Sequence, residues 1–107
     1  MAYNLQIAER ANDQIDKLTG NLINRLQNRD AAIHFLNGLD AVYRRLEENP
    51  YQFPESPDVF LQRQGYREAF LPKMRYRIVF RVDGQTIYVV GVFHMLENYV
   101  VKVDPYI

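Results

Sequence analysis

Apolar side chains recur along this chain with three successive rhythms. Tyr3, Leu5 and Ile7 alternate with Asn4 and Gln6, the period of a short strand buried on one side. The spacing then lengthens. Ile7, Ala11, Ile15, Leu18, Leu22 and Leu26 fall on one helical face and predict a helix over residues 8–26. Gly20 lies inside that stripe and marks a place for a bend, because glycine costs a helix interior about 1 kcal/mol relative to alanine. Asn28 is the expected N-cap of a second helix, with Asp30 in the first turn where the helix dipole favours an acid. Its stripe is Ala32, Phe35, Leu36, Leu39, Val42, Tyr43 and Leu46, and Asn49-Pro50 stops it. The short link between the stripes predicts an antiparallel helical hairpin.

Pro50, Pro54 and Pro57 interrupt residues 49–65, which therefore read as a long surface loop. Residues 66–71 form a candidate strand, and Leu71-Pro72-Lys73-Met74 links it to the third rhythm, a return to period two on both sides of Asp83-Gly84. That dipeptide accepts the positive φ angles of a tight hairpin turn. With Asp83 and Gly84 as the turn residues, Val82 pairs with Gln85, Arg77 with Val90 and Lys73 with His94. Alternation sends Tyr76, Ile78, Phe80, Ile87, Val89, Gly91 and Phe93 to a core face. Lys73, Arg75, Arg77, Val79, Arg81, Tyr88, Val92 and His94 go to the other face. A three-residue loop would move the whole second-strand set across the sheet. Met95-Leu96-Glu97-Asn98 is turn-like, residues 99–103 are a candidate last strand, and Asp104-Pro105 ends it.

The order strand, helix, helix, then three or four strands predicts an α+β fold. An N-terminal strand and a two-helix antiparallel hairpin pack on one face of a mostly antiparallel sheet of about four strands, whose other face is open. At 107 residues and 48% hydrophobic, residues 1–107 suffice for one domain. The formal charge of +0 argues against a strongly electrostatic nucleic-acid binder. Residues 1–60 nevertheless carry six basic and nine acidic side chains against seven and four in residues 61–107, so an anion-binding surface belongs to the second half. The absence of cysteine excludes a disulfide framework, a thiolate metal site and a cysteine nucleophile. The two histidines are far apart, and with scattered carboxylates they lack ligand spacing, so no metal and no cofactor is expected. No secretory pattern and no long apolar run occurs, which makes a cytoplasmic protein without membrane contact the expectation.

An arginine-rich strand face ending in histidine suits phosphate chemistry. Cleavage through a ribose 2′-hydroxyl needs a base, a cation for the growing phosphorane charge and an acid for the leaving oxygen. His94 can take either proton-transfer role, Arg75 and Arg77 can contact the phosphate bidentately, and Lys73 and Arg81 add charge. Tyr88 can stack on a base. The plainer alternative is a face charged for solubility alone, and His34 within the second helix reads as an ordinary surface or boundary residue.

The order of elements, helix two ending in Leu46-Glu47-Glu48-Asn49-Pro50, the Tyr76-Arg77-Ile78-Val79-Phe80-Arg81-Val82 strand and the final Val92-Phe93-His94 together resemble the RelE/ParE superfamily of toxins from type II toxin-antitoxin systems. The resemblance covers nearly the whole chain. It implies a small toxin neutralised by a cognate antitoxin protein, which docks an amphipathic helix or an added strand. RelE-like and YoeB-like members cleave messenger RNA on the ribosome, whereas ParE-like members poison DNA gyrase without being enzymes. By resemblance Arg77 matches the arginine used against the scissile phosphate, and His94 matches a catalytic histidine. Glu68 stands in as a carboxylate base for the lysines of RelE-like enzymes. Where the YoeB-like branch has a tyrosine after its histidine this chain has Met95, with Tyr99 as the candidate substitute. The leading expectation is ribosome-dependent mRNA cleavage, with ribosome and mRNA as partners. The alternatives are gyrase inhibition and a degenerate toxin that only binds protein.

Overall fold

The computed structural model describes residues 2–103, and Asp104-Pro105, expected to end the last strand, lies outside them. Strand β1 (Asn4–Ile7) leads through Ala8 alone into helix α1 (Glu9–Gly20). The stripe that continues past Gly20 is accommodated by a wider π-helical turn, Asn21–Arg25, instead of a bend. Helix α2 (Arg29–Glu48) starts where expected, the Asn28 side chain accepting the Ala31 N–H at 3.0 Å. It buries Ala32, Phe35, Leu39, Val42 and Leu46. The proline-rich segment that follows is more ordered than its composition suggests. It holds a 3-10 turn, Pro50–Gln52, and a short helix α3 (Val59–Arg63), whose N-cap Asp58 accepts the Leu61 N–H at 3.0 Å.

Strands β2 (Tyr66–Phe70), β3 (Tyr76–Asp83) and β4 (Thr86–His94) complete a four-stranded sheet of order β1-β4-β3-β2. β1 runs parallel to β4, and the other pairings are antiparallel. The α+β fold and the mostly antiparallel sheet are as expected. The expected last strand is not: residues 100–102 form a 3-10 turn instead. Tyr99 and Val103 are buried in that segment while Val101 is 76% exposed. β-branched residues favour strands only where a partner strand is available, and here the segment lies on the face of the sheet instead of extending it.

The hairpin differs from expectation in two ways, each with a physical cause. The turn residues are Gly84, at φ 59, and Gln85, so that Asp83 pairs with Thr86 and Val82 with Ile87. This slides the register by two and leaves the faces unchanged. Further along, a bulge between Val79 and Phe80 leaves Val90 without an opposite partner, after which Arg77 pairs with Phe93 and Tyr76 with His94. An inserted residue reverses the facing of everything beyond it. Val92 therefore joins Tyr76, Ile78 and Phe80 in the helix-side core, and Phe93 joins Val79 on the opposite side. That opposite side is not open either: Leu61, Tyr66, Val79, Val90, Phe93, Tyr99 and Val103 form a second buried cluster on it.

Against the helix-side core, the hydroxyl of Tyr43 is buried without a hydrogen-bond partner among the described residues. Burial pushes its pKa up from 10.0 to about 12. The folded state thus holds the neutral phenol, and its contribution is full below pH 10 and declines as pH rises toward 12. Tyr43→Phe is expected to add about 1 kcal/mol at neutral pH by removing the orphaned hydroxyl. At pH 11, one unit above the unperturbed 10.0, it should also remove about 1.4 kcal/mol of alkaline destabilisation. Urea unfolding at pH 7 and pH 11 checks both. Tyr76 and Tyr99, also raised chiefly by burial, keep part of the alkaline sensitivity in the variant.

Candidate functional site

Glu68 and Arg77 meet across the β2–β3 ladder, on the face opposite α1 and α2. Arg77 Nη1 donates to Glu68 Oε1 at 2.9 Å, and the Glu68 side chain has no exposed surface while that of Arg77 is 12% exposed. The second carboxylate oxygen is taken as well: Ser56 Oγ and Tyr99 Oη each donate to Glu68 Oε2 at 2.6 Å. Tyr99 lies over the guanidinium, 4.0 Å from ring centroid to Cζ, with Phe70 on a further side at 5.5 Å. Among the described residues the Arg77 Nε–H has no partner. Burial, reinforced by the adjacent Glu68 carboxylate, holds the Tyr99 hydroxyl above its usual range. Two opposite charges, two hydroxyls and two rings thus close on one another and tie β2, β3, the proline-rich segment and the C-terminal segment together.

His94 is elsewhere. The bulge turns it to the helix side, where its ring meets Tyr76 edge to face at 5.2 Å, whereas Arg77 lies on the other side of the same sheet. Its Nδ1 accepts the Leu96 N–H at 3.1 Å, which leaves the proton of the neutral ring on Nε2. The His94 N–H in turn donates to Glu97 Oε1 at 3.0 Å. Glu97 also accepts from Lys102 Nζ at 2.7 Å. Burial alone would raise the Glu97 carboxyl, but the Lys102 and His94 bonds outweigh it and hold the carboxyl below its usual range.

The remaining sequence candidates divide between two places. Arg81 pairs with Tyr88 across the hairpin, its Cζ 5.0 Å from the ring centroid, so Tyr88 already carries a cation. Lys73 and Arg75 are exposed at the end of the sheet, in and after the β2–β3 turn. Of the three residues matched to catalysis, the fold joins Glu68 to Arg77 and separates both from His94. Ser56 escaped the sequence entirely: a serine between two prolines in a loop gives no sign of reaching a buried carboxylate.

The described residues hold no cluster of three or more histidines and carboxylates suited to a metal. None of their helices is long and apolar enough to cross a membrane. The family described as "ParE toxin of type II toxin-antitoxin system, parDE" matches residues 5–99, and no curated protein sequence matches the chain. Solved structures share its fold at low identity. The chromosomal ParDE toxin-antitoxin system of P. aeruginosa aligns at a TM-score of 0.71 and 17% identity, over 87% of this chain and 96% of that one. The toxin RelE of E. coli, a mutant in the free state, aligns at 0.62 and 20% over 96% and 94%. The toxin-antitoxin complex RelBE2 of Mycobacterium tuberculosis aligns at 0.54 and 18% over 88% and 99%.

Proposed function

Because the chain belongs to the ParE toxin family of type II toxin-antitoxin systems, we propose that it restricts growth as ParE-like members do, by binding and poisoning DNA gyrase, with no reaction of its own. One observation carries this reading over mRNA cleavage: the fully buried Glu68 carboxylate already accepts from Arg77, Ser56 and Tyr99. A general base must come within hydrogen-bond reach of the proton it takes, and no ribose hydroxyl reaches a fully buried carboxylate whose two oxygens already hold three donors between them. The guanidinium that would neutralise a phosphorane is spent on the carboxylate beside it. His94, on the other side of the sheet, cannot serve the same phosphate.

The same reading includes an antitoxin. The ParDE and RelBE2 structures are described as a toxin-antitoxin system and complex, which supports a cognate antitoxin for this chain. Ile23, Leu26, Ile33 and Leu36 are 40–64% exposed along the helical hairpin, a surface suited to the apolar face of a partner helix.

Supercoiling by purified gyrase, and cleavage of ribosome-bound mRNA, measured side by side with the purified protein, test the proposal. The expected result is blocked supercoiling with intact mRNA. Cleaved mRNA with unaffected supercoiling would overturn it.

A further inference from the structure

The β2–β3 turn keeps a costly residue at its tip. Leu71 C=O accepts the Met74 N–H at 3.3 Å around Pro72 and Lys73, and Lys73 sits at φ 63. Proline followed by a residue of positive φ is the type II arrangement, whose third position favours glycine because an L side chain crowds its own backbone there. Backbone strain of this kind persists where the side chain serves a purpose the rest of the fold upholds. Lys73 is exposed, so that purpose is not core packing. Neither Lys73 nor its neighbour Arg75 has an ion-pair partner among the described residues.

A second turn is stitched to the first. The Met95 N–H donates to Arg75 C=O at 2.8 Å, one step beyond the Tyr76–His94 pair. This bond joins Met95, 40% exposed, to Arg75, and the next residue, Leu96, is at 82% the most exposed large apolar side chain described. The nearest acid of this turn, Glu97, is engaged with Lys102 and the His94 N–H and leaves Lys73 and Arg75 uncompensated.

We propose that this end of the sheet, Lys73 and Arg75 with Met95 and Leu96, is the surface through which the protein engages its target, and that it fits an acidic protein surface presenting an apolar side chain. The inference rests on the gyrase reading and locates the contact within it. Complementary charge selects carboxylates, and the adjoining aliphatic pair selects protein over nucleic acid: Met95 and Leu96 offer a phosphate nothing and a base no aromatic ring to stack on. Arginine and methionine are among the residue types enriched at protein–protein interfaces.

The test uses the 107-residue chain with gyrase, and with a poly(A) RNA as the nucleic-acid probe. Lys73→Gly relieves the strained turn while removing a cation, so its Tm is expected to rise by a few degrees. Its inhibition of supercoiling and its affinity for immobilised gyrase should nevertheless weaken about tenfold. Arg75→Gln and Leu96→Ser are expected to weaken both by a similar factor at unchanged Tm. A wild-type protein that inhibits gyrase no better than these three folded variants overturns the docking surface and leaves the gyrase reading standing. A wild-type protein that neither binds nor inhibits gyrase overturns both. Binding to poly(A) that depends on Lys73 and Arg75, with none to gyrase, reassigns the surface to nucleic acid and overturns the protein partner.

Discussion

Glu68→Ala is expected to lower the unfolding free energy by about 3–5 kcal/mol, the cost of breaking a buried ion pair by removing one member. The carboxylate has no exposed surface and is the common acceptor of Arg77, Ser56 and Tyr99. Deleting it strands a guanidinium that is only 12% exposed, together with two hydroxyls. Arg77→Ala should cost a comparable amount for the mirror reason, a carboxylate left in the interior with its counter-charge gone. The pair need not be a source of net stability, since apolar side chains of similar volume replace buried ion pairs at little cost. The double variant Glu68→Leu with Arg77→Met is therefore expected to lose much less than the two single alanine variants together. Urea denaturation of all three variants measures this. Losses that simply add would mean that the four side chains do not act as a unit. The outcome also governs how growth assays are read. An Arg77→Ala chain that no longer inhibits growth does so through unfolding, unless its stability is measured and found intact.

The same residues show where the sequence was legible. Both helices follow from stripes several turns long, and such a signal survives a local irregularity like the π-helical turn at Asn21–Arg25. The bulge has no comparable signature. From Ile87 to Phe93 every residue except Tyr88 and Gly91 is aliphatic or Phe93 itself, and a run with so few polar positions reads the same with or without an inserted residue. The consequence was large, because it carried His94 away from the arginines and Phe93 toward them. Burial of Glu68 was equally hidden: in Tyr66-Arg67-Glu68-Ala69-Phe70 it looks like any solvated strand residue. What buries it comes from 12 and 31 residues away along the chain, Ser56 and Tyr99. Short helix α3, by contrast, had a usable sign in Asp58 preceding Val59-Phe60-Leu61, an N-cap before an apolar run.

Gly91→Ala is expected to cost about 3 kcal/mol, the upper part of the usual range for overpacking a filled core. A Cβ on Gly91 would stand 2.3 and 2.5 Å from two ring carbons of Phe93, and 3.2 Å from the Gln14 amide oxygen. Phe93 has no exposed surface and leans on Tyr99, with ring centroids 5.9 Å apart. The ring therefore cannot retreat without pushing on the tyrosine that closes over Arg77. Gln14 offers no easier exit, since its amide oxygen accepts the Val92 N–H at 3.0 Å on the stretch of β4 that extends past the end of β1. The need for glycine here is steric and has nothing to do with a left-handed backbone, so a smaller neighbour should rescue it. Phe93→Leu alone opens a cavity and is expected to cost about 1–2 kcal/mol. Combined with Gly91→Ala it should recover part of the loss, giving a coupling of opposite sign to simple addition. Thermal unfolding of the two single variants and the double variant reads this out. Equal and additive losses would show that Gly91 is required for some reason other than the ring above it.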